Sequence, residues 1–113
     1  MRSLTWPKGM AMRRYKVVIS GAARKMLKGH IYFLARVNVE AAKELRNHIM
    51  AEIRSLEKMP ERFPYLDEEN RRSCYRKMVV PNWYLVIYLI IDDTVYVEYI
   101  LDGRQDYPWL FRP

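Results

Sequence analysis

The order of patterned segments predicts a single α+β domain in which an antiparallel helix hairpin packs on a small, mostly antiparallel sheet. Two observations lead to this fold class. Apolar residues keep helical spacing in the first half of the chain and strand alternation in the second, which gives the order β-α-α-β-β-β. The chain has 113 residues, of which 50% are hydrophobic, and these are enough for one domain with a packed core.

The first strand and the first helix are predicted from the start of the patterned sequence. Residues 15–19 are short and rich in β-forming side chains, so they predict a strand. Ser20 follows as the N-cap of a helix that continues to about Leu34. Gly29, inside that helix, weakens it by roughly 1 kcal/mol relative to alanine.

A longer second helix is predicted from Val39 to about Lys58. Asn38 is its expected N-cap, and Pro60 ends it because proline cannot continue a helix. Its apolar stripe recurs at helical spacing through Ala42, Leu45, Ile49, Ile53 and Leu56. Because few residues join the two helices, we expect an antiparallel hairpin.

The second half of the chain predicts a loop over residues 60–73 and then a three-stranded meander. The strands cover residues 74–80, 83–91 and 94–101, and they are joined by turns at Pro81-Asn82 and Asp92-Asp93. The middle strand is apolar on both faces, which indicates a central position in the sheet. The first strand of the chain is expected to pair with the last, and Cys74 is expected to face the interior.

Residues 1–14 form an expected flexible, basic tail, and residues 15–113 form the domain. Met1, Met10 and Met12 all precede the patterned sequence, so each is a possible start of translation. One cysteine excludes an internal disulfide, and the absence of an apolar run of about 18 residues argues against a membrane span. No apolar signal core precedes Val17, so a cytoplasmic location is expected.

Charge is distributed unevenly along the chain. The net charge is +7, yet the first acidic residue is Glu40. Acidic residues are frequent over residues 37–70, and a basic cluster returns at residues 71–77. A small domain this basic usually binds an acidic partner, either nucleic acid or an acidic protein segment. Neither a Cys/His pattern for a metal nor a glycine-rich loop for a nucleotide is present, so no metal and no cofactor is expected.

Four segments carry a family resemblance: residues 15–27 (YKVVISGAARKML), 41–64 (AAKELRNHIMAEIRSLEKMPERFP), 75–103 (YRKMVVPNWYLVIYLIIDDTVYVEYILDG) and 103–111 (GRQDYPWLF). Their order and spacing resemble the ParE/RelE superfamily of toxins from bacterial type II toxin–antitoxin operons, and the ending is similar to that of the ParE branch. The resemblance implies the RelE/ParE-like fold, a cognate antitoxin that binds the toxin, and contact with operator DNA only through that antitoxin.

The superfamily implies two chemistries. RelE-like members cut mRNA on the ribosome with basic residues of the sheet and the C-terminal tail, whereas ParE-like members poison DNA gyrase. Arg76 and Arg104 match two basic residues of the RelE-like set, but Met78 and Leu85 stand where that set has a lysine and an arginine. Methionine and leucine cannot hold charge or transfer a proton, and arginine stays protonated. The comparison therefore favours the gyrase branch.

We therefore interpret the chain as the toxin of a plasmid-stabilisation type system that inhibits growth by poisoning gyrase, without a catalytic residue. The expected target-binding residues are Arg76, Lys77, Arg104, Asp106, Tyr107 and Trp109, because arginine and aromatic residues dominate binding hot spots. Arg76 is expected to join Arg104 on the open face of the sheet, although the tail aromatics could instead pack on the helices. The alternatives are a ribosome-dependent mRNA interferase that uses Arg76 and Arg104, and an inactive relative that only binds the antitoxin.

Overall fold

The computed structural model describes residues 14–67, 74–80 and 83–105. Its elements follow the order β1 (Lys16–Ile19), α1 (Gly21–Ala35), α2 (Val39–Arg54), β2 (Arg76–Val80), β3 (Tyr84–Ile91) and β4 (Thr94–Asp102). Two short 3₁₀ turns, Ser55–Glu57 and Pro60–Arg62, lie between α2 and β2. The predicted α+β class and the order β-α-α-β-β-β are confirmed.

The four strands form one mixed sheet in the order β1-β4-β3-β2. β1 runs parallel to β4, while β4, β3 and β2 form an antiparallel meander. This is the predicted pairing of the first strand with the last, and it leaves β2 at the other edge. The turn between β3 and β4 is made by Asp92 and Asp93, and Asp92 adopts a left-handed backbone with φ of 57°, as a tight hairpin turn requires.

Both helices begin at the predicted caps. The Ser20 side chain accepts a hydrogen bond from the backbone N–H of Ala23 at 3.0 Å, and the Asn38 side chain accepts one from Ala41 at 3.0 Å. The stripe of α2 is buried against the sheet together with Leu56 of the following turn. The α-helix ends at Arg54, four residues before the predicted end, because the chain tightens into a 3₁₀ turn there.

α1 covers the edge of β4 beyond β1, where none of the described strands pairs with it. β1 has only four residues and pairs with β4 as far as Val97. Beyond that point the Ser20 hydroxyl donates to the carbonyl of Glu98 at 3.2 Å, and Nε2 of His30 lies 2.8 Å from the carbonyl of Ile100. A carbonyl only accepts, so Nε2 of His30 carries the proton. These bonds satisfy edge groups that would otherwise be open to another chain.

The sheet has two covered regions on opposite faces. The main core lies between the helices and one face and includes Ile49, Met78, Val86 and Tyr88. A smaller cluster on the other face contains Leu66, Ile87 and Leu101. Segment 64–66 produces this second cluster, since it runs beside the start of β2: the N–H of Leu66 donates to the carbonyl of Tyr75 at 2.8 Å. The predicted loop 60–73 therefore contains an ordered turn and a strand-like contact before residue 68.

The prediction that Cys74 faces the interior is wrong. Cys74 is exposed and lies outside β2, because its backbone is left-handed with φ of 60° and cannot join the sheet pairing. Arg14, the last residue of the predicted flexible tail, forms an ion pair with Glu57 at 3.1 Å.

Residues 1–13 and the Pro81-Asn82 turn lie outside the described residues. In the part of the chain that the structure describes, no helix is long and apolar enough to cross a membrane.

Tyr88 joins the centre of the sheet to the segment after α2. The side chain is fully buried, and its hydroxyl donates to the carbonyl of Pro60 at 2.6 Å. Burial raises the pKa of Tyr88 to about 12, while nearby Arg76 and Arg62 oppose the shift. A charged phenolate would lose the donor proton and remain in an apolar core, so the fold favours the neutral tyrosine.

We predict that Tyr88→Phe destabilises the protein by about 1–3 kcal/mol, because it leaves the buried Pro60 carbonyl without its donor. In the parent protein the raised pKa contributes stability below pH 10, which is lost as the pH rises through the folded value of about 12. Urea unfolding at pH 7 and across pH 9–12 measures both effects. Tyr96→Phe, at a partly exposed position, is the matched control; equal losses in the two variants would contradict the prediction.

Candidate functional site

Arg104 lies just after β4 and is held against the start of β3. Its Nε donates to Oδ1 of Asp102 at 3.0 Å, and its Nη2 donates to Oδ2 at 2.7 Å. The guanidinium carbon lies 4.2 Å from the centre of the Trp83 ring. A planar guanidinium suits both a two-point carboxylate contact and an aromatic face. We call Trp83, Asp102 and Arg104 the arginine clamp.

The carboxylate of Asp102 orients the arginine clamp. It also accepts the backbone N–H of Arg104 at 3.0 Å, and Asp102 is 8% exposed. These hydrogen bonds, led by the side-chain bonds from Arg104, hold the pKa of Asp102 below its ordinary value, whereas burial alone would raise it. Asp102 is therefore ionised at neutral pH. The Arg104 side chain, in contrast, is 57% exposed and can meet a partner in a fixed orientation.

Gly103 allows the end of β4 to approach the start of β3. Its N–H donates to the carbonyl of Trp83 at 2.6 Å. A Cβ atom at Gly103 would lie 2.5 Å from the same backbone oxygen, which is closer than real contacts allow. The main chain at this point thus fixes the separation between Trp83 and Arg104.

An aromatic pair supports the arginine clamp from the side of the helices. The ring of Tyr84 lies 5.2 Å from the ring of His30, whose Nε2 bonds to β4. Trp83 and Tyr84 also line a groove of about 370 Å³ whose other walls come from α1 and α2, including Leu34, Leu45 and His48. Trp83 is 41% exposed, so the arginine clamp presents a large aromatic surface at the mouth of this groove.

Arg76 is not on the open face, and that prediction is wrong. It pairs with Tyr88 and shares the helix-facing side of β2 with the buried Met78. Its Nη1 donates to the carbonyls of Glu61 at 3.1 Å and Phe63 at 2.7 Å, and its guanidinium lies 4.2 Å from the Tyr65 ring centre. Neighbouring residues of a strand point to opposite faces, and the contacts with segment 60–65 decide which face Arg76 takes.

Lys77 takes the open face instead. Lys77 pairs with Ile87 of β3. Two residues further along β2, Val79 lies on the same face and pairs with Leu85. Val79 is 63% exposed and Leu85 is half-buried. Tyr75 and Tyr99 stand on the same face with ring centres 6.1 Å apart. Burial, more than the neighbouring Tyr99 and Glu98, raises the pKa of Tyr75, so its phenol keeps its proton at neutral pH.

The structure therefore separates the basic residues that the sequence grouped. Arg76 pairs with Tyr88 and Arg104 lies beside Trp83 and Tyr84, so about four residues of β3, or roughly 13 Å, lie between them. Asp106, Tyr107 and Trp109 lie outside the described residues.

The sequence analysis did not identify Trp83 and Asp102 as partners of Arg104. The sequence nevertheless contains two indications: Trp83 stands at the start of a strand, and Asp102 directly precedes Gly103. Among the described residues, no three His, Cys, Asp or Glu side chains are grouped to hold a metal ion.

Comparison with known proteins identifies one family. The sequence model described as "ParE toxin of type II toxin-antitoxin system, parDE" matches residues 17–107. Among solved structures, a chain titled "Chromosomal ParDE TA system from P. aeruginosa" is similar, with a TM-score of 0.66 over 78% of this chain and 95% of that chain. The two sequences share 10% identity, so this likeness concerns the fold alone. No curated protein matches the sequence.

We predict opposite effects for two Gly→Ala substitutions. Gly103→Ala is expected to cost about 1–3 kcal/mol, because the new methyl group meets a backbone oxygen that cannot move aside. Gly29→Ala, in the middle of α1 with open space around it, is expected to gain up to about 1 kcal/mol. Chemical unfolding of both variants measures the difference. A Gly103→Ala protein as stable as the parent would mean that the close approach to Trp83 is not a constraint.

Proposed function

The chain belongs to the ParE family of toxins from type II toxin–antitoxin systems, and from that premise we propose that it inhibits growth by poisoning DNA gyrase. Toxins of this family pair with a cognate antitoxin, which we propose also neutralises this one. A gyrase poison of this kind acts by binding and needs no catalytic side chain.

The chemistry of the open sheet face is the observation that carries the proposal. Cleavage of RNA needs a group that activates the 2′-hydroxyl and another that stabilises the phosphorane charge. On β2 the open face offers Lys77 followed by the apolar Val79, which is opposite Leu85. Arg76 and Met78, which match the basic positions of RNA-cleaving relatives, point to the helix side, where Met78 is 1% exposed. Such a surface is suited to contact rather than to proton transfer.

We propose the arginine clamp as the centre of the gyrase contact. Arginine and tryptophan are the residues most enriched in binding hot spots, and rigid side chains lose little entropy on binding. Arg104 is fixed by two bonds to Asp102 and by the Trp83 ring, while most of its side chain stays exposed. Asp106, Tyr107 and Trp109 lie within five residues after Arg104 in the sequence, and we propose that they extend the contact.

The charge of the chain indicates what kind of antitoxin it binds. With a net charge of +7, the toxin attracts an acidic partner and accelerates its association by electrostatic steering. An antitoxin segment rich in Asp and Glu would therefore bind fast at low salt. The location expected from the sequence, the bacterial cytoplasm, is where both partners and gyrase would meet.

RNA cleavage on the ribosome is the second candidate, and one feature favours it. Lys77 shares the open face with Tyr75 and Tyr99, so a cation and two phenols lie on one surface. The raised pKa of Tyr75 makes this phenol a poor base at neutral pH. The third candidate, an inactive relative, differs from both because it predicts normal growth.

Induction of the toxin in cells without the antitoxin tests the proposal. We expect growth arrest and plasmid DNA that becomes linear when protein is removed by detergent and protease, with a reporter mRNA intact in the same lysate. Message cut within codons, with the plasmid untouched, would replace the gyrase proposal with RNA cleavage. Normal growth at equal protein levels would favour the inactive relative.

Within the gyrase proposal, Arg104→Ala is expected to weaken poisoning by roughly thirtyfold, the effect of losing about 2 kcal/mol of hot-spot binding. The measurement is the toxin concentration that gives half-maximal linear plasmid with purified gyrase. Arg14→Ala removes another exposed arginine from an ion pair, with Glu57, and is the matched control. Arg104→Lys should recover only part of the activity, because lysine cannot bind Asp102 at two points.

Two measurements separate loss of contact from loss of fold in these variants. The unfolding midpoint of Arg104→Ala should fall, because the nearly buried Asp102 carboxylate loses its cation, but circular dichroism should show a folded protein at the assay temperature. The binding of the antitoxin should remain close to that of the parent protein. Poisoning by Arg104→Ala at the parent concentration would exclude the arginine clamp from the gyrase contact, even if the toxin itself poisons gyrase.

A further inference from the structure

A groove with mostly apolar walls lies between the arginine clamp and the helix hairpin. Its volume is about 370 Å³, and its described apolar and aromatic lining residues are Leu34 from α1, Ala41 and Leu45 from α2, and Trp83 and Tyr84 from the sheet region. Trp83 is 41% exposed, whereas Leu34 and Ala41 are half-buried. An apolar side chain placed there would remove hydrophobic surface from water. We call this the Trp83 groove.

The charged side of the Trp83 groove is acidic. Glu44 lines it and, together with His48, also lines an adjoining groove that includes Glu52. Glu52 lies 3.7 Å from His48, whereas Glu44 forms no salt bridge within the part of the chain that the structure describes. No described lysine or arginine lines either groove. The occupant that fits is therefore apolar with a cation beside it, and an acidic segment is disfavoured.

The C-terminal residues have this composition. After Gln105 the sequence continues as DYPWLFRP, in which Leu110 and Phe111 are directly followed by Arg112. These residues come after the last residue that the structure describes, so the sequence supplies their chemistry. Two adjacent apolar side chains match the apolar walls of the groove, and the arginine that follows them matches its carboxylates.

The turn after β4 brings the C-terminal segment to the Trp83 groove. The N–H of Gln105 donates to the carbonyl of Asp102 at 3.0 Å, so the chain reverses direction in a tight turn. Arg104 lies within that turn, and its guanidinium carbon is 4.2 Å from the centre of the Trp83 ring. The same indole lines the groove. The described chain therefore ends beside a wall of the groove.

The C-terminal segment is long enough to enter the groove. From Gln105 to Phe111 the chain advances six residues, which span roughly 20 Å when extended. Along α2 the groove extends from Ala41 to His48, a rise of about 10 Å. Pro108 has a fixed φ and favours an extended residue before it, so less conformational entropy is lost on docking.

The covalent link favours this segment over a separate partner of similar chemistry. A segment attached by a few flexible residues is present at an effective concentration of about millimolar. A second copy of the chain or a free peptide reaches that concentration only when the protein itself is that concentrated. An acidic antitoxin segment would in addition meet the carboxylates of Glu44 and Glu52.

We propose that residues 110–112 of this chain bind in the Trp83 groove, with the two apolar side chains against its walls and Arg112 beside Glu44. Residues 106–109 are then held as a strap between the arginine clamp and the groove. Such a strap orders the expected target-binding residues of the tail before any partner arrives, which lowers the entropy cost of contact. Docking involves the toxin alone, so it does not depend on the proposed function.

Paramagnetic broadening of NMR signals in the full-length toxin tests this inference. A nitroxide is attached at Pro113→Cys in a Cys74→Ser background, which leaves residues 110–112 unchanged and removes the native thiol. We expect the backbone signals of α2 over residues 41–48 to be lost by broadening and to return when ascorbate reduces the label. Signals around Thr94, at the far end of β4 from the arginine clamp, should stay sharp.

A second labelled variant separates docking from mere proximity. Leu110→Ser/Phe111→Ser removes both apolar anchors, and we expect it to restore the signals of residues 41–48. The matched control, Val79→Ser/Ile91→Ser, changes two apolar residues that are 63% and 51% exposed elsewhere on the sheet. This control should keep the broadening of the parent protein.

Each other outcome overturns the inference. Sharp signals in the labelled parent would exclude docking, and broadening that survives Leu110→Ser/Phe111→Ser would reflect a tail that is only nearby. Broadening of isotope-labelled toxin by a separate spin-labelled copy would assign the groove to a second copy. Shifts of the α2 signals caused by added antitoxin, without broadening in the free toxin, would assign it to the antitoxin. Because gyrase is absent here, failure of gyrase poisoning is detected separately by the plasmid experiment.

Discussion

Strand β4 is the element on which the rest of the molecule depends. It pairs with β1 on one side and with β3 on the other, and α1 completes its free edge through Ser20 and His30. β1 has only four residues, so α1 begins where the edge carbonyls of β4 still lack hydrogen-bond partners. The same helix therefore covers the sheet edge and packs on the core. The arginine clamp is attached to the last residue of this same strand.

The arginines of the sheet region show how position decides what a charge can do. Arg76 is enclosed by backbone carbonyls and Tyr65, so its positive charge stabilises the segment between α2 and β2. Arg104 has a carboxylate and an indole as partners but stays largely exposed, so it remains available for binding. Arginine therefore stabilises the fold beside the middle of β3 and remains available for binding beside the start of that strand.

Much of the fold could be predicted from the sequence because it depends on local rules. Ser20 and Asn38 cap helices through their own side chains, and the stripe from Ala42 to Leu56 needs only helical periodicity. The face of Arg76 could not be predicted in this way, since strand alternation leaves two choices and a non-local contact with segment 60–65 selects one. The prediction for Cys74 failed because the backbone of this residue is left-handed, which strand alternation does not reveal. At the candidate site, the sequence indicated Arg104, but the carboxylate and indole that orient it required the hairpin geometry.

The pairing of β1 with β4 also determines when the fold can be completed. Residues 16–19 are made first, and they must wait for residues 94–97, about 80 positions later in the chain. At about 5–20 residues per second, translation takes about 4–16 s to cover that distance. A contact so distant in sequence is slow to form, and the core stays open until it does. Arg104 follows residues 94–97 in the chain, so the arginine clamp is completed only after the strand that β1 must join has been made.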